Sequence, residues 1–245
     1  MRYLESFQYI FAHPEWVMNV VLAAVCTLIP IIGGIVVQGY AFETLESLHR
    51  FPGQLYPKFD FGRFSQYLMR GVWPFLVGLV VGVVVSIPMS CIVMIPLFAI
   101  LAATGGGGRE EAAGAAAALG MCCMYGLMLV LIMATHVLTI PFALRAGLAQ
   151  DFAEGFKFKW AMDFLAKMWP QAALSVLFLF AVSLFILGPL SVITCFIGLY
   201  PSMAIWLLAQ AHLYYQLYTS YLARGGEPIP LKPWEGPAPM GPAPI

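Results

Sequence analysis

Five stretches of the chain are apolar with hardly a polar residue to interrupt them: residues 17–48, 72–103, 112–144, 170–187 and 190–222. About 20 consecutive apolar residues match the ~30 Å hydrocarbon thickness of a bilayer. Four of the five runs reach or nearly reach that length without a carboxylate. The pattern predicts an all-α fold, a polytopic membrane helical bundle in which residues 1–224 form a single transmembrane domain and residues 225–245 a Pro-rich cytoplasmic tail.

Between the runs the period changes. In residues 59–70, Phe61, Phe64 and Leu68 take one helical face while Asp60, Arg63, Gln66 and Arg70 take another. In residues 156–167, Phe156, Trp160 and Phe164 recur every four positions beside Lys159, Asp163 and Lys167. Such segments read as amphipathic helices lying in the headgroup layer, or else as ordinary loop helices. Each leads into a Trp-Pro pair, Trp73-Pro74 and Trp169-Pro170, in which Trp suits the interface and Pro is tolerated in a first helical turn.

The two halves share a layout of amphipathic helix, Trp-Pro, span, short outer turn and returning span. Phe59, Phe61, Tyr67, Leu68 and Arg70 correspond to Phe156, Phe158, Phe164, Leu165 and Lys167 at a spacing of 97, and the Trp-Pro pairs at 96. This predicts helical-hairpin repeats. The N-terminus reads as a shortened third copy. Leu4, Phe7 and Phe11 make a helical stripe over residues 4–13, His13-Pro14 ends it, and the following run is interrupted by Pro30-Ile31-Ile32-Gly33-Gly34. Residues 17–29 and 35–48 then form a re-entrant hairpin, which is allowed at membrane depth where neighbouring helices shield the broken backbone. A single tilted span from Val17 to Tyr40 is the alternative.

Charge adds an orientation. The chain is 61% hydrophobic and only 10% charged, with no net charge, so attraction to nucleic acid has no support. The cations crowd into particular linkers: Arg50, Lys58, Arg63 and Arg70 in one, Arg145, Lys157, Lys159 and Lys167 in another, and Arg224 and Lys232 in the tail. By the positive-inside rule these are cytoplasmic, and a re-entrant first hairpin adds Arg2. Arg109 alone stands between the second and third runs, beside Glu110 and Glu111 at a helix start that favours negative charge. Gly105–Gly108 before it read as a flexible outer loop, without the Gly-Lys-Ser/Thr ending of a phosphate loop.

The stretch from Phe7 to Tyr40 holds Tyr9, Phe11, Pro14-Glu15-Trp16, Leu28-Ile29-Pro30-Ile31-Ile32 and Gly39-Tyr40, followed by Leu55-Tyr56-Pro57 and Phe59-Asp60-Phe61-Gly62. In combination these resemble the prokaryotic membrane family catalogued as domain of unknown function 4013, closely over residues 4–75 and by layout beyond. The resemblance implies a multi-pass architecture in a prokaryotic cytoplasmic membrane and carries no activity. Members usually have basic residues just after the Trp, where this chain has Val17-Met18-Asn19.

Candidate chemistry inside the runs is sparse: Ser86 and Ser90, Thr135, His136 and Thr139, Gln210 and His212. No Asp, Glu, Lys or Arg is expected near the middle of a span, which disfavours ion-coupled transport and proton pumping. His136 and His212 fall late in the second helices of their hairpins, so the repeat could bring them to similar depth. With Gln210 and Thr139 they are the candidate ligand-binding residues, for a metal, a haem or an anionic headgroup, against an ordinary role in bonding neighbouring helices. Cys26, Cys91, Cys122, Cys123 and Cys195 lie in apolar runs without C-x-x-C spacing and read as packing residues. No metal site, cofactor, disulfide framework or cleavable signal peptide is expected. Gly78-x-x-x-Gly82 offers a close helix approach, and Pro88 and Pro96 a kink. The tail, rich in Pro from Pro228 to Pro244, should be extended and largely unpacked, with Trp234 as a possible docking residue.

The expected function is therefore a non-enzymatic membrane scaffold or accessory subunit whose partners are membrane lipids and other membrane proteins or itself. A small-solute or lipid transporter or channel is the alternative. No nucleophile pairs with a base at usable spacing.

Overall fold

Nine α-helices carry the described part of the chain: α1 (Glu5–Ala12), α2 (Trp16–Thr27), α3 (Ile32–Arg50), α4 (Phe64–Thr104), α5 (Glu110–Ala149), α6 (Phe152–Gly155), α7 (Phe158–Val182), α8 (Gly188–Ile193) and α9 (Leu199–Ala223). The computed structural model describes residues 1–104, 110–238 and 241. The Gly105–Gly108 loop and Arg109 lie outside the described residues, as do Pro239, Pro242 and Pro244. The predicted all-α helical bundle is what forms, and no strand occurs among the described residues.

Three helical stretches among the described residues are long and apolar enough to cross a membrane: Phe61–Ile95, Ala118–Ala149 and Phe158–Ile193, with mean hydropathies of 2.6, 2.2 and 2.6. Only 11%, 22% and 11% of their most apolar windows are buried within the protein. Leu79, Val83, Val84 and Ile87 of α4, Leu119 and Val130 of α5, Leu177 of α7, and Leu184 and Phe185 just after it all point outward. Apolar surface on this scale needs an apolar solvent.

The basic aromatic segments expected as separate interfacial helices are instead the first turns of the long ones. A short 3-10 turn at Phe61–Arg63, capped by Asp60 accepting from the Gly62 amide, opens directly into α4. This helix then continues through Trp73-Pro74 for 41 residues, ~61 Å at 1.5 Å per residue. Likewise α7 passes through Trp169-Pro170 unbroken. A proline in a helix frees a single carbonyl, whereas a helix ended in hydrocarbon strands several backbone groups. The expected break between residues 187 and 190 is bridged for the same reason. Ser183–Leu187 widen into a π-helix, Pro189 sits in the first turn of α8, and the chain reverses only at Thr194–Gly198. There Cys195 and Phe196 take positive φ, and the Thr194 hydroxyl accepts from the Gly198 amide.

The N-terminal run forms two helices joined by a tight turn, so the single-span alternative does not occur. With 12 residues, α2 is ~18 Å long, short of a bilayer. Ile31 has φ 64° and ψ −61°, and the Ile32 amide donates to the Pro30 carbonyl at 2.7 Å, a γ-turn of the rare, strained hand. Of the Leu4-Phe7-Phe11 stripe on α1, Leu4 and Phe11 remain exposed, while Ser6 and Ile10 are the buried positions. His13 bends the path by 104° into α2, its Nδ1 accepting from the Glu15 amide at 3.0 Å.

Helix α9 is the shared wall of two cores. Leu208, Ala209 and Leu213 meet Ile10, Val20, Val37 and Tyr40; Ala211, Leu217 and Tyr218 meet Leu45, Leu144, Phe164 and Met168. Its neighbours are protein on several sides, which is why it tolerates Gln210, His212 and Gln216. Helix α4 crosses α3 at a reciprocal glycine contact, where a Cβ on Gly39 would overlap the Tyr67 carbonyl and one on Gly71 the Ile35 carbonyl. Small residues of this kind let membrane helices approach backbone to backbone.

All the basic linkers converge on one end of the bundle. The Arg2 amide donates to Gln216 of α9 and the Tyr56 hydroxyl to the Ile10 carbonyl, while Lys232 of the tail reaches the Gln150 carbonyl. The tail is not the unpacked end its composition suggested. Trp160 Nε1 donates to the Glu227 carbonyl at 2.8 Å, and the Ile229 amide donates to Tyr218 Oη at 2.8 Å. Ile229 is buried, Arg50 donates to the Lys232 carbonyl, and Trp234 meets Phe51 edge to face. Residues 225–238 form an extended strap across the α3–α4 and α5–α7 linkers.

Gly39→Ala or Gly71→Ala should lower stability by about 2 kcal/mol or more, because backbone must separate. Gly78→Ala should be near neutral, since a Cβ there meets nothing within 4 Å. Thermal unfolding of the three variants in one detergent compares them.

Candidate functional site

A cavity of about 640 Å³ lies between α3, α4, α5 and α9. Its α4 wall is Pro74, Phe75, Gly78 and Gly82; its α5 wall is Thr135, His136, Thr139 and Ala143; its α9 wall is Met203, Trp206, Leu207, Gln210 and Tyr214. Gly34, Ile35, Gln38 and Phe42 of α3 line a further side, with the strained Ile31 just before that helix. Gly78 and Gly82 therefore do not serve a helix contact within the chain. They widen the cavity.

Three of the four candidate residues meet here: Thr139, His136 and Gln210 all line this space. His136 also borders two neighbouring cavities. One of about 160 Å³ lies toward α7 and is shared with Trp206, Gln210 and Tyr214, and one of about 370 Å³ lies between α4 and α5 beside Ser86 and Ser90. His136 stands nine residues from Arg145, ~14 Å along the axis of α5, a distance of about half a hydrocarbon thickness. Ligand pockets are commonly of this kind, apolar with a few convergent polar groups.

The hydrogen bonds fix what these groups offer. His136 Nδ1 lies 2.9 Å from the Ile132 carbonyl, which can only accept, so Nδ1 carries the proton and Nε2 keeps a lone pair. Thr139 spends its proton on the Thr135 carbonyl at 2.8 Å, and Thr135 donates to the Leu131 carbonyl at 2.8 Å. Gln210 Nε2 donates to Tyr214 Oη at 3.0 Å, leaving the phenol proton unspent. No charged side chain lines the cavity.

His212 is elsewhere. Its ring stacks on Tyr9 with centroids 4.5 Å apart, Nδ1 accepts from Gln216 Nε2 at 3.1 Å, and the residue is 8% exposed. It joins α1 to α9, and the repeat does not pair it with His136. No group of three or more His, Cys, Asp or Glu that could hold a metal occurs among the described residues. The five cysteines are free, only Cys26 being buried.

A polar constellation that the sequence reading missed sits at the basic end. Glu43 and Glu46 of α3 are 2% and 1% exposed. Arg63 donates to both oxygens of Glu43 at 2.5 and 2.7 Å, Arg50 to Glu46 at 2.6 Å, and Arg70 pairs with Glu46. Arg145 is the counterpart in the second half: 1% exposed, it donates to Glu154 at 2.8 Å and lies over the Trp160 ring. The visible signal was Glu43-x-x-Glu46, two carboxylates on one face near the end of an apolar run whose partners could only be the arginines of the next linker. Gln38 and Trp206 were not singled out, and Tyr214, which with Tyr215, Tyr218 and Tyr221 reads from sequence as an interfacial aromatic belt, lines the cavity instead.

The family described as "Protein of unknown function (DUF4013)" matches residues 22–197. The match starts inside α2, so Tyr9 and Pro14-Glu15-Trp16 precede it, and it extends through α4, α5 and α7 to the turn after α8. No curated protein and no solved structure matches the chain.

Glu154→Gln should cost on the order of 3 kcal/mol, because it leaves the Arg145 guanidinium buried without its anion. The hydrogen bond from Lys157 and then that from Arg145 hold the Glu154 carboxyl below its ordinary value. The stability it contributes is thus present above the unfolded value of 4.5 and lost as pH falls through the lower folded one. Unfolding measured against pH should show this acid-side loss in the native chain and a smaller one in the variant.

With the glycine crossing, the buried ion pairs and the α3, α4 and α5 walls of the cavity all inside the matched range, the chain belongs to the DUF4013 family of proteins of unknown function.

Proposed function

We propose that the chain is a lipid-binding scaffold or accessory subunit of a prokaryotic cytoplasmic membrane, multi-pass and without catalysis. Its basic end, which gathers Arg2, the two basic linkers and the tail, faces the cytoplasm, in keeping with the positive-inside rule. The α2–α3 hairpin then re-enters from that side, and α4, α5, α7 with α8, and α9 cross. The outward apolar faces of α4, α5 and α7 are surface for lipids, for other membrane proteins or for a second copy.

The observation that carries this reading is the cavity at mid-depth, walled on α4 by glycine and bordered by uncharged polar groups on α5 and α9. A space of that size facing hydrocarbon holds acyl chains rather than water, because its lining is mostly apolar. A transport reading has one supporting feature, the meeting of three cavities at His136. Solute or lipid flux in reconstituted vesicles, abolished by His136→Trp, would favour it.

Gly78→Leu with Gly82→Leu projects two side chains into the cavity from positions where a Cβ meets nothing within 4 Å. The double variant should fold with an unchanged unfolding temperature, yet lose lipid that co-purifies with the native chain in mild detergent, as measured by native mass spectrometry. Equal lipid retention by both proteins would remove the cavity from the account.

A further inference from the structure

Resting on that reading, we propose that the cavity selects an uncharged lipid alcohol, a long-chain molecule whose headgroup carries a free hydroxyl and little else that is polar. Three observations carry this. The lining contains no Asp, Glu, Lys or Arg. A phosphate headgroup at mid-depth would be a buried charge without a partner, which costs far more than a neutral group. Second, the Ile132 carbonyl fixes the His136 proton on Nδ1, so the ring nitrogen left for a ligand is an acceptor, Nε2. A ligand that only accepts hydrogen bonds, such as a quinone, leaves this nitrogen unanswered. A hydroxyl donates to it. Third, the opposite wall holds the complementary donor. Tyr214 Oη accepts from Gln210 and keeps its own proton, which is left for a ligand oxygen in the cavities that Tyr214 lines together with His136. Thr135 and Thr139 cannot compete as donors because both spend their protons on carbonyls of α5.

The apolar remainder follows the glycine wall. Gly78 and Gly82 line the main cavity along α4, and Gly82, Ser86 and Met89 line the adjoining one between α4 and α5. Two sources supply this chemistry in membranes: diacylglycerol and polyprenol.

The test uses the full chain, delipidated in detergent and titrated by native mass spectrometry with dioleoylglycerol, its 3-O-methyl ether, a C55 polyprenol, a menaquinone and a phosphatidylglycerol. Dioleoylglycerol, the polyprenol or both should bind, and whichever binds names the source. The methyl ether, which differs from dioleoylglycerol only by the lost donor, should bind at least tenfold more weakly than its parent if the glycerolipid is the ligand. For the lipid that binds, His136→Phe should weaken binding about tenfold, whereas His136→Gln, which keeps an acceptor, should restore most of it. Equal binding of dioleoylglycerol and its ether, or preference for the quinone or the phospholipid, overturns the alcohol assignment and leaves the cavity intact. Binding unaltered by Gly78→Leu with Gly82→Leu overturns the cavity itself.

Discussion

The backbone contact between Gly39 of α3 and Gly71 of α4 decides how the rest of the bundle is arranged. Two helices that touch at a glycine pair are fixed there and diverge on either side of it. On the basic side the crossing brings Arg70, next to Gly71, and Arg63, about two turns before it, onto Glu46 and Glu43, about two turns and one turn beyond Gly39. On the other side it carries α4 away from α9, so that Gly78 and Gly82 face space instead of a neighbour. The ion network and the cavity are thus two consequences of one contact. Replace either glycine and both arrangements must change together.

The basic end is where polar interactions concentrate, and the division is physical. Buried carboxylates paired with arginine are costly to form and more costly to break, so they contribute most as a specification of register between α3 and α4. The tail strap adds the Glu227 and Lys232 carbonyls to this end, satisfying Trp160 and Arg50, and its own Lys232 ammonium donates to the Gln150 carbonyl. Toward the other end α4, α5 and α7 present Leu, Val, Ile and Phe on nearly every side. Nothing in hydrocarbon draws such surfaces together as strongly as water would, which allows a cavity to persist between them.

Much of this was legible in the sequence, and the remainder was hidden for identifiable reasons. Apolar runs gave the long helices, Pro30-Ile31 gave the hairpin turn, and the scarcity of polar residues inside the runs singled out His136, Thr139 and Gln210, which do converge. Helix continuity through Trp73-Pro74 and Gly188-Pro189 was not legible, because proline stops helices in water for reasons that weaken where no solvent competes for the freed carbonyl. His212 was misplaced because its partner, Tyr9, lies 203 positions away in the chain. Glu43 and Glu46 escaped attention because a carboxylate pair in an apolar helix has meaning only once its arginines are seen opposite. The tail composition suggested an unpacked end, and what overrode it was a row of donors from other segments that its extended carbonyls happen to meet.

The central claim is that the space beside Gly78 and Gly82 is a ligand site and not an unfilled packing defect. Determining the structure in lipid nanodiscs tests it most directly. The account predicts elongated density between α4, α5 and α9, ending in a headgroup within hydrogen-bonding distance of His136 Nε2. Helix α4 collapsed onto α9, with Gly78 and Gly82 in van der Waals contact across the interface and no room for a ligand, would contradict it.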